Sequence, residues 1–469
     1  MTTIPFFVVF LPVLLLLYYV FSFSSIAQSV VLFAGCIVFY ASGEPSYVIL
    51  MVFMVLINAL FSYMISSRDK ASGKPLVWIG CAINLLVLIV YRYMGFLLQM
   101  LGAATNIRFR YNVTPPFGIA VFTLHAISYL IDVYNRKAEA TTPFNVGIFC
   151  CFFPFLSHGP VMRYHEMASQ MHKRHLDVRL LVMGICRFVV GMGKVLILAD
   201  CFEGIADNVF SLSQVGISEY TVPAALAWLG IGAFLLQVYF QLGGFSDMAI
   251  GLAMTFGYVV PENIIYPYSA ITVTDYWTRW ELGAQNWFNE YIKGPLGGDE
   301  ETTDNPNIVA QVAHWVCFGA WHGPGYTFLL WGAYHFIVLI VEQFFDLNKK
   351  MPFKWLGRIY TLFMVAMGFV LFRATDIYQA SRYYMNLFGA NHNGFHSDLA
   401  ILLLKENWHL ILVGILFSTP IARKFNEKMF KNPQGWQNAV ATIVYPVCMF
   451  LLLVLCFCYM VTRAYYPTV

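Results

Sequence analysis

A helix needs about 20 apolar residues to cross a bilayer, and runs of that length recur along this chain at intervals too short to leave room for another kind of domain. They cover residues 5–22, 24–42, 47–66 and 76–101, and later 179–199, 223–241, 243–260, 326–345, 357–373, 408–422 and 436–461. Shorter or interrupted runs lie at 117–134, 144–162 and 309–322. Of the 469 residues 59% are hydrophobic and 11% charged, against about 25% charged in an ordinary soluble domain. In lipid each backbone polar group must be satisfied inside its own segment, which leaves helices as the spanning element for runs of this length. The expected fold is therefore all-α: a polytopic transmembrane helical bundle with roughly eleven to thirteen crossings, plus re-entrant or interfacial helices. A single membrane-embedded domain, 1–469, uses nearly the whole chain.

The first run lacks a basic leader and a small-residue cleavage site, so it is expected to be a retained helix. The net charge of +3 is spread over short connectors and forms no patch of nucleic-acid size. These connectors carry Arg68, Lys70 and Lys74; Arg136 and Lys137; Lys173, Arg174 and Arg179; Lys349, Lys350 and Lys354; and Arg423, Lys424, Lys428 and Lys431. The positive-inside rule assigns them to the cytoplasmic face, with the N-terminus outside. The ten cysteines lack metal-ligand spacing. Cys36, Cys81, Cys317, Cys448, Cys456 and Cys458 sit in apolar runs as packing residues, and adjacent Cys150 and Cys151 are poorly spaced for a mutual disulfide. Two polar stretches, 297–307 and 389–398, read as solvated connectors or substrate loops.

Residues 272–298, TVTDYWTRWELGAQNWFNEYIKGPLGG, interleave aromatic and charged side chains. This segment is too polar to cross lipid alone. It fits an interfacial or re-entrant helix, the wall of a water-filled cavity, or both. The next segment, 312–336, places His314, His322 and His335 among large apolar residues. A titratable group at membrane depth is expensive and points to function, although a lone buried histidine also serves as a packing residue. The sequence Trp321-His322-Gly323-Pro324-Gly325 sets a helix breaker beside an imidazole, an arrangement that surrounds sites and cavities in membrane proteins. No carboxylate or second histidine stands at the i, i+4 spacing of a helical zinc site, so no metal is expected and acid–base chemistry suits His322. G-x-S-x-G and G-x-x-x-x-G-K-[ST] are absent from the sequence, as is a G-x-G-x-x-G after a strand. This argues against serine-hydrolase, ATPase and dinucleotide chemistry.

The order of motifs resembles the membrane-bound O-acyltransferase family, in particular its bacterial branch of alginate and cellulose O-acetylation proteins and the D-alanyl transfer protein of teichoic acids. The carriers are PFGIAVFTLHAISYLIDVY (116–134), FFPFLSHGPVMRY (152–164), QVYFQLGGFSDMAIGLA (237–253), DYWTRW (275–280), WFNEYIKGPLGG (287–298), AWHG (320–323) and WGAYH (331–335). Residues 1–345 form the family-like core and 346–469 add C-terminal transmembrane helices. The resemblance implies an acyl thioester donor, acetyl-CoA first, on the cytoplasmic side of a bacterial inner membrane, with no bound cofactor. A hydroxyl acceptor would reach the donor from the other side through a central tunnel, for an exported polysaccharide or cell-wall glycan. His322 takes the place of the family's catalytic histidine. Trp277, Arg279, Trp280 and Trp321 line the tunnel, and His335 stands behind them. Asp247 supports the site or takes part in it, and Arg163 meets donor phosphates or anchors a helix end. The chain departs from its relatives twice. Glu281 stands where they carry a second histidine, as a partner base, an orienting group or a solvated carboxylate; and Gln241 stands where they carry aspartate. The implied partners are the bilayer, the donor and an extracytoplasmic esterase-like acetyltransferase. D-alanyl, lipid or protein acyl transfer, or a non-catalytic transporter or scaffold, are the alternatives.

Overall fold

The computed structural model describes residues 2–172, 174, 177–213, 222–297, 307–347, 353–421, 423–425 and 435–465, and every regular element in them is helical. In chain order the helices used below are α1 (Phe6–Val20), α2 (Ser25–Gly43), α3 (Pro45–Ser66), α4 (Lys70–Thr105), α5 (Ile119–Tyr134), α6 (Pro143–Leu156), α7 (Tyr164–His172), α8 (Val178–Leu212), α9 (Ala224–Thr255), α10 (Val273–Trp277), α11 (Leu282–Phe288), α12 (Ile308–His322), α13 (Tyr326–Phe345), α14 (Lys354–Arg373), α15 (Ile377–Leu387), α16 (Asp398–Phe417) and α17 (Thr442–Thr462). Among the described residues nine of them are long and apolar enough to span a bilayer: α2, α3, α4, α8, α9, α13, α14, α16 and α17. α1, α5 and α6 are apolar but shorter. The protein is an all-α, multi-pass integral membrane protein.

Two runs expected as separate crossings, 223–241 and 243–260, are one continuous helix, α9. The pair Gly243-Gly244 does not break it. A Cβ at Gly244 would lie 2.7 Å from the Gly191 carbonyl oxygen on α8, and one at Gly251 would lie 2.6 Å from the Gly184 carbonyl oxygen. These glycines serve close backbone approach, the usual basis of helix association in lipid. α16 also starts earlier than its apolar run, at Asp398, and carries Lys405, Glu406 and His409. Ser397 caps it by accepting the Ala400 N–H (3.2 Å). The polar residues 298–306 of one expected connector, together with Lys173, Lys349, Lys350, Lys428 and Lys431, lie outside the described residues. The other connector, 389–398, is tied down: the Ala224 and Ala225 amides at the start of α9 donate to the carbonyls of Gly394 and Phe395 (3.0 and 3.2 Å). The cysteines are free; Cys317, Cys448 and Cys458 are exposed on their helices and not packed inside as expected.

The chain clusters into two compact units, residues 1–188, 246–261 and 286–292 in the first, and 189–245, 262–285 and 293–469 in the second. In the first unit α3 and α4 are joined by a reciprocal amide pair. Asn58 Nδ2 donates to Asn84 Oδ1 (3.1 Å) and Asn84 Nδ2 to Asn58 Oδ1 (2.8 Å), with both residues fully buried. Tyr129 of α5 donates to Ser62 Oγ (2.7 Å). Polar pairs of this kind hold helices together where apolar contact alone gives no advantage over lipid.

The second unit contains the tightest helical hairpin, α12–α13. A Cβ at Gly332 would lie 2.3 Å from the Trp315 carbonyl oxygen, and one at Gly319 would lie 2.5 Å from that of Phe328. Replacing Gly332 with alanine therefore forces the two backbones apart. Such overpacking costs about 1–3 kcal/mol, and the expected outcome is a lower melting temperature of the detergent-solubilised protein than wild type.

Candidate active site

In the second unit, residues 272–285 of the polar aromatic segment form α10, a tight turn and the start of α11. Thr272 caps α10 by accepting the Asp275 N–H (3.1 Å). The turn that follows is clamped to residues 263–265: Ile265 N–H donates to the Arg279 carbonyl (2.8 Å), Leu282 N–H to the Asn263 carbonyl (2.9 Å), and Gly283 N–H to Asn263 Oδ1 (3.1 Å). These bonds hold Glu281 at φ 49°, the left-handed region that a residue with a side chain enters at a cost on the order of 1–3 kcal/mol. Strain of this kind is held where a side chain has to point in one direction. The Glu281 carbonyl then accepts the first helical bond of α11, from Gln285 N–H (2.9 Å).

α12 ends at His322, where Gly323-Pro324-Gly325 stops the helix before α13 begins. The close hairpin aims the imidazole into a ring of aromatics. Its centroid lies 5.0 Å from Phe318, 5.0 Å from Trp331, 5.1 Å from Phe372 and 4.9 Å from Trp321. Nε2 of His322 stands 3.8 Å from Oε2 of Glu281, and only 12% and 9% of the two side chains are exposed. This separation exceeds a hydrogen bond but places a carboxylate where it stabilises an imidazolium. Glu281 is thus a buried carboxyl, not the solvated one allowed by its helix-face position. Burial pushes its pKa up to about 8.

Trp277, 5% exposed, packs edge-on against Trp315, Trp331 and His335, with centroids 5.0, 5.6 and 5.0 Å away. His335 is fully buried, its Nδ1 2.9 Å from the Trp331 carbonyl oxygen, a bond that sets the tautomer with the proton on Nδ1. Trp280 stacks on Tyr276 and Tyr268 (5.8 and 6.4 Å). Trp321 stacks on Phe318 (5.9 Å). Arg279 grips Asp275 through Nε–Oδ1 (2.7 Å) and Nη2–Oδ2 (3.2 Å). His314 belongs to the packing: its Nε2 lies 3.1 Å from Gln285 Oε1. The structure thus gathers His322, Glu281, Trp277, Trp321 and His335 around the α12–α13 hairpin, with Trp280 and Arg279 on the adjoining turn.

Asp247 and Arg163 belong to the first unit. Asp247 Oδ1 pairs with Arg187 (Nε 3.0 Å, Nη2 2.9 Å). Arg163 directs Nη1 to Glu290 and Nη2 to Glu166, both at 2.5 Å. Around it lies a polar network that the sequence did not single out. Asp132 accepts from the His165 amide (2.9 Å) and from the Tyr291 hydroxyl (2.7 Å), and Lys137 also pairs with Glu290. Burial would raise the Glu290 carboxyl, but Lys137 and Arg163 hold it below the usual carboxylate range. Oxygen and nitrogen atoms of Asp132, His165 and Glu290 come within 4.8 Å of one another, close enough for a cation. Tyr291 already bonds Asp132, Lys137 and Arg163 bond Glu290, and His165 Nδ1 lies 3.0 Å from Asp132 Oδ2, so the cluster reads as an ion-pair network. Its members are far apart in sequence, and no periodicity links them.

A model of the membrane-bound O-acyltransferase family matches residues 34–379. The chain belongs to this family. A Pseudomonas aeruginosa protein named as a probable alginate O-acetylase is 30% identical over 397 residues, covering 81% of this chain and 73% of its own. The peptidoglycan O-acetyltransferase of Helicobacter pylori is 26% identical over 81% of this chain and 78% of its own. The teichoic acid D-alanyltransferase of Bacillus subtilis is 23% identical over 56% and 69%. This membrane-bound O-acyltransferase is accordingly an acyltransferase enzyme, and its match covers both segments that meet at His322.

The raised Glu281 pKa has a consequence for stability. Between the ordinary carboxyl range and about pH 8 the folded protein keeps a proton that the unfolded chain gives up, so stability falls as pH rises through that window and levels off above it. Glu281→Gln removes this term. Thermal unfolding in detergent from about pH 5 to about pH 9 is expected to show a shallower fall for the variant than for wild type.

Proposed function

We propose that this acyltransferase moves an acetyl group from a cytoplasmic thioester, acetyl-CoA, to a hydroxyl acceptor reached from the opposite side of a bacterial inner membrane. The observation that carries the reading is the His322–Glu281 pair, a base and a carboxyl 3.8 Å apart at a helix break inside an aromatic enclosure. His322 Nε2 takes the proton of the acceptor hydroxyl as its oxygen attacks the thioester carbonyl carbon. The tetrahedral oxyanion collapses, the C–S bond breaks, and the thiolate leaves with the proton that the imidazolium returns. A carboxylate at Glu281, 3.8 Å from Nε2, stabilises the imidazolium that His322 becomes. General base catalysis of this kind contributes about 10²- to 10⁴-fold. Trp277, Trp321, Trp331 and Phe318 keep water from the thioester, which limits hydrolysis.

The acceptor belongs to an exported polysaccharide or cell-wall glycan, since the relatives named above act on alginate, peptidoglycan and teichoic acid. Acetyl is favoured over D-alanyl because the O-acetylation relatives align over 81% of the chain and the D-alanyltransferase over 56%. Two reactants meeting from opposite faces require a tunnel through the protein, and delivery to a polymer outside calls for an extracytoplasmic esterase-like acetyltransferase as partner. The protein itself needs no bound cofactor.

The test is coenzyme A release by the purified protein in nanodiscs. Turnover of acetyl-CoA is expected to fall at least about 100-fold in His322→Ala, with normal membrane insertion. Equal turnover in wild type and variant, for acetyl and carrier-protein donors alike and with the partner present, overturns the catalytic reading in favour of a transporter or scaffold. Glu281→His, which installs the histidine that the family resemblance implies at this position, is expected to retain more activity than Glu281→Ala in the same assay.

A further inference from the structure

An acidic side chain on a membrane-spanning helix is costly and needs a reason, and Glu342 on α13 has one that the reaction scheme above does not use. It is 2% exposed. One carboxyl oxygen accepts the Val273 N–H (2.6 Å); the other accepts both the Thr274 N–H (2.8 Å) and the Thr274 hydroxyl (2.6 Å). With Thr272 taking the Asp275 amide, the first three amides of α10 are all satisfied from outside the helix. That matters because α10 has five residues, far too few to hold itself by propagation. Glu342 also lies 7 and 11 residues after His335 and Trp331, a spacing that puts all three on one face of α13. Those two residues pack on Trp277 at the other end of α10. One helix face therefore grips α10 at its start and its end, and Glu281 follows four residues later.

We infer that Glu342 is a positioning residue for acyl transfer: by capping α10 it fixes where the turn carries Glu281 relative to His322. The inference rests on the proposed reaction. It touches no reacting atom, and its effect is transmitted through backbone geometry, where a misplacement on the order of 1 Å costs about 10²-fold in rate. Both oxygens of Glu342 act only as acceptors, so a glutamine, which offers one acceptor and one donor group, must break one side of the cap.

The experiment combines hydrogen exchange of residues 271–281 with acetyl-CoA turnover in Glu342→Gln, Glu342→Asp and wild type, all in nanodiscs. Expected for Glu342→Gln are exchange of the Val273 and Thr274 amides at least tenfold faster, kcat at least tenfold lower, and KM for acetyl-CoA within about twofold of wild type. Glu342→Asp, which keeps both acceptor oxygens, should recover part of the kcat. Faster exchange with unchanged kcat overturns the positioning role, and unchanged exchange overturns the cap itself. If Glu342→Gln does not fold, Thr274→Val, which removes one donor and leaves the carboxyl in place, is read by the same two criteria. Absence of turnover in wild type with every donor counts against the proposed reaction, and because it leaves no kcat to position, it overturns the inference as well.

Discussion

In hydrocarbon, apolar side chains gain little by leaving lipid for one another, so this fold depends on what else can draw helices together. Two devices recur. Glycines let backbones touch, at Gly184 and Gly251, at Gly191 and Gly244, and at Gly319 and Gly332. Buried polar pairs such as Asn58–Asn84 lock the separation that the glycines permit. The site inherits its geometry from the first device, because the approach of α12 to α13 decides where the last residue of α12 points.

The chemistry then follows from burial. His322 and Glu281 come from segments about 40 residues apart, and each is delivered by a break in helical structure, a Gly-Pro-Gly stop in one case and a left-handed residue in the other. Enclosure by Phe318, Trp331 and Phe372 keeps the surroundings of low polarity, which makes the interaction between an imidazolium and a carboxylate stronger than it would be in water. The same enclosure disfavours the charged form of Glu281 when it stands alone.

Much of this was legible before the structure. Hydropathy gave the class of fold because spanning length is a physical threshold. The helix stop after His322 and the polar aromatic character of 272–298 were visible because Gly, Pro and interleaved charges act locally. What stayed hidden was non-local. The runs 223–241 and 243–260 read as separate crossings, since hydropathy alone does not show whether one helix continues through Leu242. The carboxyl of Glu342 sat unremarked in an apolar run because its partners lie about 70 residues upstream. The Asp132, Arg163 and Glu290 network gathers residues from three separate stretches, and the position of Glu281 did not disclose its burial.

The length of α9 has a consequence of its own. A straight helix of 32 residues measures about 48 Å at 1.5 Å per residue, whereas the hydrocarbon core is about 30 Å thick. α9 must therefore lean well away from the membrane normal, or carry several turns beyond the acyl chains into the headgroup layer. α4 and α8, with 36 and 35 residues, face the same mismatch. A bilayer of different thickness changes either the lean of these three helices or the number of turns they carry beyond the acyl chains.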